Sequence, residues 1–140
     1  MRYMMNSGAQ YPPFDLAVKL ENAGFNEPCV KMISLITKQS INCDYFDIAN
    51  NIEYDNQTLK RIHPDYISYP SIYEIANWLR NKHSIHIDVD YDASQLWGFS
   101  LRHCNDRDDY IDGDSMFINY ESALVMGEFD ALRYIETDSL

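Results

Sequence analysis

Ile85-His86-Ile87-Asp88-Val89-Asp90-Tyr91, followed after a short polar break by Trp97-Gly98-Phe99-Ser100-Leu101-Arg102, is the stretch that decides the fold. Apolar and polar residues alternate with period two in both halves, which in a strand sends the apolar side chains to one face and the polar ones to the other. The break, Asp92-Ala93-Ser94-Gln95, can turn the chain back. The result is an antiparallel hairpin with one buried face and one wet face, and on the wet face Arg102 comes near His86 or Asp88. Asp88, Asp90 and Arg102 are therefore candidates for an interaction surface.

Upstream of the hairpin, Ser71-Ile72-Tyr73-Glu74 has the form of a capping box, with Ile72, Ile75, Ala76 and Leu79 at helical spacing behind it. Arg80, Lys82 and His83 suit the negative end of that helix. Downstream, a last helix is expected from about Tyr120 to Ile135 with Asn119 as its cap. Its main stripe includes Tyr120, Ala123, Leu124, Gly127, Ala131, Tyr134 and Ile135, and the small residues let the backbone approach a sheet. Val125, Phe129 and Leu132 make a second stripe, which must also be covered. The first helix of the chain can do this, or a second copy of the protein can, so these three residues join the candidate interaction surface.

In the first half, residues 1–13 contain Pro12-Pro13 and are read as a flexible arm. Asp15 can cap a helix carrying Leu16, Ala17, Leu20 and Ala23, which Gly24 stops and Phe25 folds back upon. Cys29 to Thr37 has the β-branched content of a strand, and a further strand around Asn42 to Ile48 is expected. From there to Tyr69 the apolar residues show no sustained period, and the chain is read as irregular. The expected architecture is one α+β domain over residues 14–135, with a C-terminal tail over 136–140. A small antiparallel sheet is packed on one face by about three helices, in the rough order α-β-(β)-α-β-β-α.

The chain has 140 residues, is 46% hydrophobic and carries a formal charge of −11. That is enough apolar material for one core. Direct binding to nucleic acid or to an anionic membrane is not expected, because both need clustered Lys and Arg. The first residues lack a signal-peptide core, and no run approaches the length of a membrane span, so the expected location is cytoplasmic. Cys29, Cys43 and Cys104 are too dispersed for a zinc site and are read as free thiols.

Three features suggest chemistry and each fails on inspection. Placing Gly113 at the sixth position of a calcium loop puts Asp108 and Asp112 at ligand positions, but Tyr110 and Asn119 fall where carboxylates are required. Residues 106–114 are accordingly read as a solvated acidic loop. His103 and Cys104 are adjacent, so in a strand they point to opposite faces, and nothing marks a third group to orient a distant pair such as Cys104 with His86 or Cys43 with His63. The aromatic residues are interleaved with aspartates where a single-stranded nucleic-acid groove would need cations, which leaves core packing or a protein-binding surface. No catalytic, cofactor-binding or metal residue is assigned, and no cofactor is expected.

Three blocks in order resemble a family of short uncharacterised proteins encoded in phages and prophages of gut bacteria. They are Gly24-Phe25-Asn26-Glu27-Pro28-Cys29, Ser71-Ile72-Tyr73-Glu74-Ile75-Ala76-Asn77-Trp78-Leu79-Arg80 and Tyr120-Glu121-Ser122-Ala123-Leu124. The resemblance implies a phage or prophage accessory protein and transfers no site. The expected role is a non-catalytic protein-binding module whose partner is an unknown protein or a second copy. The alternatives are an acidic mimic of nucleic acid that inhibits a DNA-binding protein, supported if Asp88, Asp90, Asp92, Asp106, Asp108, Asp109, Asp112 and Asp114 share one surface, and a small His/Cys enzyme or metal-binding protein.

Overall fold

A computed structural model describes residues 4–43, 53–104, 106–113 and 116–137. The fold is α+β with small antiparallel sheets, and the chain divides into two compact units. One is residues 11–71, and the other joins residues up to Gln10 to those from Ile72 onward. The strands that the sequence suggested for one sheet within one domain are thus shared between two sheets of three strands each.

The N-terminal unit contains α1 (Phe14–Asn22), β1 (Lys31–Ser34), β2 (Ser40–Asn42), α2 (Asn56–Ile62) and β3 (Tyr66–Ser68), with β1 between β2 and β3. α1 begins after Pro13 with no side-chain cap, so Asp15 sits inside the first turn instead of capping it. A carboxylate there still faces the positive end of the helix dipole. At the other end Gly24 takes φ 91°, and the amides of Gly24 and Phe25 bond the carbonyls of Glu21 and Leu20. This terminal motif closes with Phe25 buried, as the Gly-Phe pair predicts.

β1 is buried on both faces. Ile33 packs with Ala17 of α1 and Ile67 of β3, while Met32 packs with Cys43 and Leu59 of α2. The predicted strand over Cys29 to Thr37 is shorter because Ser34 ends it, its hydroxyl accepting the amides of Ile36 and Thr37 as the chain turns with Lys38 at φ 60°. β2 begins at Ser40, ahead of the predicted Asn42–Ile48 strand, most of which lies outside the described residues.

α2 and β3 occupy a segment that was read as irregular. Asp55 caps α2 by accepting the Thr58 amide at 2.7 Å. Asn56 then donates to the Phe25 carbonyl and accepts the Ser68 amide, which ties α1, α2 and β3 together.

The C-terminal unit contains α3 (Ile72–His83), β4 (Ile85–Tyr91), β5 (Trp97–His103), β6 (Asp106–Asp112) and α4 (Tyr120–Thr137), with β5 central in its sheet. The predicted antiparallel hairpin is present, with Ile87 opposite Leu101, Val89 opposite Phe99 and Arg102 opposite His86. Asp92 makes the turn by accepting the amides of Ser94 and Leu96, with Gln95 at φ 65°. α3 and α4 pack on each other, and α4 lies on β4 and β5. A Cβ on Gly127 would come within 2.7 Å of Ile87 Cγ2 and 3.3 Å of the Phe99 ring, so glycine there lets α4 sit close to the sheet.

The predicted acidic loop is largely strand. Residues 106–112 form β6 along the free edge of β5, with Ile111 opposite Leu101 and Asp112 opposite Ser100. Aspartates have low strand propensity, but an edge strand rich in charge resists pairing with other chains, and here that arrangement prevails.

The predicted arm is tied down where it is described. Asn119 accepts the Ser122 amide as the cap of α4 and donates to the Met5 carbonyl, Ser122 Oγ accepts the Met5 amide, and Glu121 Oε1 accepts the Gly8 amide.

Candidate interaction surface

The residues proposed from sequence separate into two groups. Val125 and Leu132 are fully buried and Phe129 is half-buried, so the second stripe of α4 belongs to the core of its own unit. Gly127 fixes the sheet side of α4, and at about 100° per residue Val125 and Leu132 turn well away from it, toward the side that α3 can cover. The stripe was assigned to the first helix or to a second copy. Within this unit α3 packs on α4 alongside β4 and β5, and α1 belongs to the other unit.

Asp88, Arg102 and His86 do form a cluster on the outer face of the hairpin. Arg102 donates to Asp88 Oδ2 at 2.7 Å, and His86 Nε2 lies 3.1 Å from Asp88 Oδ1. Asp90 is exposed on the same strand. The pair is half in water and its charges cancel, so it organises the face more than it offers a charge. Asp92 is occupied by its own turn, where Ser94 Oγ donates to it at 2.6 Å; these hydrogen bonds hold its carboxyl below the usual carboxylate range. Two of the eight aspartates in the nucleic-acid-mimic reading are therefore engaged within the chain. The side chains of Asp106, Asp108, Asp109, Asp112 and Asp114 lie outside what is described.

The sulfur and imidazole groups are dispersed. Cys29 and Cys43 are buried, with the Cys43 thiol donating to the Cys29 carbonyl, while Cys104 is exposed. His83 stands edge-on to Trp78 at 4.7 Å, and burial lowers its basicity. His63 lies edge-on to Tyr54 at 6.0 Å. Among the described residues no group of three His, Cys, Asp or Glu side chains could hold a metal ion. No helix among them is long and apolar enough to cross a membrane.

A surface that sequence reasoning missed lies at the turn end of the hairpin. Tyr91 was expected under the helices with Ile85, Ile87 and Val89, but it is 55% exposed, because burial on β4 fades from Ile85 toward the turn. Its ring meets Trp97 at 5.0 Å, and Trp97 meets Tyr120 edge-on at 5.7 Å. Tyr73, on α3, is 49% exposed and is close enough to Tyr120 to act on its phenol. Met116 and Ile118 are also exposed, on either side of the buried Phe117 that pairs with Trp97. Tyr91, Trp97 and Tyr120, from β4, β5 and α4, thus form one partly solvated row.

Glu128 of α4 is 0% exposed, and neither carboxyl oxygen has a hydrogen-bond partner among the described residues. Burial pushes its pKa well above the ordinary glutamate value and so favours the neutral acid. Burial raises the Tyr120 phenol too, with further contributions from Tyr73, Glu128 and Glu121. The sequence signal was present in Glu121 and Glu128, seven residues apart and on one side of α4, where they were read as polar separators between two apolar stripes.

Comparison with protein-family models, with curated proteins and with solved structures gives no match.

Proposed function

We propose that the protein is a non-catalytic protein-binding module, of the phage or prophage accessory type, acting in the cytoplasm. The observation that carries this reading is the solvated row Tyr120–Trp97–Tyr91, with Tyr73 exposed on α3. Aromatic side chains presented together in this way are enriched at protein interfaces, where they bury large area at small entropic cost and supply most of the binding energy. The charge of −11 argues in the same direction by disfavouring nucleic acid and anionic membranes as partners.

A differential pull-down tests the reading. Wild-type protein and a Tyr73→Ala/Tyr91→Ala variant, matched by circular dichroism and melting temperature, are immobilised and exposed to lysate of the source cells. The wild type should retain a protein that the variant loses. Identical captured sets, or no capture above background by the wild type, would overturn it.

A further inference from the structure

We propose that the turn end of the hairpin is a docking site for a basic segment of a partner protein, with a lysine or arginine side chain of that segment laid against the rings of Tyr91, Trp97 and Tyr120. The proposal rests on the protein-binding reading above and specifies the chemistry of the partner.

The geometry of the rings is the starting point. Trp97 meets Tyr91 at 5.0 Å with the ring planes inclined by 54°, and it meets Tyr120 at 5.7 Å with the planes inclined by 83°. Rings stacked in parallel would cover each other's faces, whereas rings set at these angles leave π faces uncovered. Water reaches them, since Tyr91 is 55% exposed and Tyr120 is 37% exposed. The negative face of such a ring attracts an ammonium or a guanidinium, and the apolar stem of the same side chain packs on the ring. Met116 and Ile118, exposed on either side of the Phe117 backbone that pairs with Trp97, offer apolar area to the rest of the segment.

Charge selects the same occupant. Asp90 and Asp92 flank Tyr91 in the chain, and Glu121 follows Tyr120. Asp90 is exposed, and the hydrogen bonds that Ser94 and Leu96 give to Asp92 favour its ionised form at the turn. No lysine or arginine occurs from Ser84 to Leu101 or from Asp108 to Leu132, the stretches that supply all three rings. The chain around the rings therefore brings carboxylates and no cation. A second copy, carrying the same charge of −11, is repelled from this surface, and a basic segment is drawn to it.

The test is an NMR titration of the full chain with acetyl-Gly-Lys-Gly-Arg-Gly-Lys-Gly-amide and with a peptide in which glutamine replaces lysine and citrulline replaces arginine, so that size is nearly kept and charge is removed. The basic peptide should shift the resonances of Tyr91, Trp97 and Tyr120 saturably, bind at least tenfold more tightly than the neutral one, and weaken as salt is raised. Tyr91→Leu keeps apolar area at an exposed position and removes the π face. It should weaken the basic peptide about two- to fivefold, the worth of one exposed cation–π contact. Asp90→Asn should weaken it too, whereas Glu136→Gln, the same change in net charge at an exposed position about 24 Å along α4 from Tyr120, should not. Equal binding of the two peptides would overturn the proposal, as would unchanged affinity in Tyr91→Leu, equal effects of Asp90→Asn and Glu136→Gln, or no saturable shift up to about 10 mM peptide. Each of those results leaves the protein-binding reading standing, since that reading fails on the pull-down.

Discussion

Replacing Glu128 should make the protein more stable and should remove a pH dependence that the wild type carries. Two unpaired acceptors in a dry site cost about 1–3 kcal/mol, and methionine fills nearly the same volume with no polar atom to desolvate. Glu128→Met should therefore gain about that much at pH 4, where the carboxyl is protonated in both states, and more near neutral pH. The pH term has a definite sign. An unfolded chain ionises this glutamate near 4.5, whereas burial holds the folded one protonated to well above that value. Below 4.5 both states carry the proton and the stability is fully present. As pH rises, the unfolded state releases its proton first, so the folded–unfolded equilibrium constant falls by about tenfold per pH unit until the folded value is reached. The Tyr120 phenol, raised by burial, stays neutral over this range.

The assay is urea unfolding from pH 4 to 8 followed by tryptophan fluorescence, which reads the C-terminal unit because Trp78 and Trp97 both lie in it. Glu128→Gln serves as the reference, since subtracting its curve from the wild-type curve cancels the contributions of the other carboxylates. Parallel pH profiles for wild type and Glu128→Gln would refute the reasoning, as would a Glu128→Met protein less stable than wild type.

Four smaller perturbations check the rest of the structure. Gly113→Ala places a Cβ against the Phe99 ring in the core of the sheet and should cost about 1–3 kcal/mol in urea unfolding. Asp55→Ala removes the cap of α2 and should cost about 1 kcal/mol; hydrogen bonds from Thr58 lower the Asp55 pKa, so the loss should be seen at neutral pH and vanish as pH falls through its folded value. Asn119→Ala should cost about 1–2 kcal/mol and speed hydrogen exchange at the Ser122 amide, because the side chain both caps α4 and holds Met5. Arg102→Ala should change stability by less than about 1 kcal/mol, since its pair with Asp88 is half in water, and a larger loss by thermal melt would mean that the outer face of the sheet is covered.

What the sequence revealed and what it concealed divide by the range of the interactions involved. The β4–β5 hairpin, α3, α4 and its Asn119 cap are written in local period and cap chemistry, and they occur where predicted. The Gly24-Phe25 terminus is equally local. α2 was hidden because its seven residues, Asn56 to Ile62, place a single side chain, Leu59, in the core, which is too little for a period to show. β3 was hidden because three residues cannot display alternation, and it is fixed by distant partners, Met32 and Ile33 across the ladder and Asn56 beside it. β6 was concealed by composition, since its aspartates suit the edge of a sheet only once β5 is there to pair with it. The arm could not be anticipated either, because its bonds run to Asn119, Glu121 and Ser122, more than a hundred residues away.

The aromatic row escaped for a related reason. Alternation says which face of β4 Tyr91 occupies, but not how deeply each position on that face is covered, and burial fades toward the turn. Local rules are broken most plainly in the C-terminal unit. Tyr91 and Tyr73 stand in water where packing alone would bury them or replace them with polar residues, and Glu128 sits in a dry core where an apolar residue would be more stable. Elsewhere caps, turns and the two faces of β1 agree with the fold they build. Consistency across most of a chain, with violations gathered in one unit, is the pattern left when a site is kept for something other than stability.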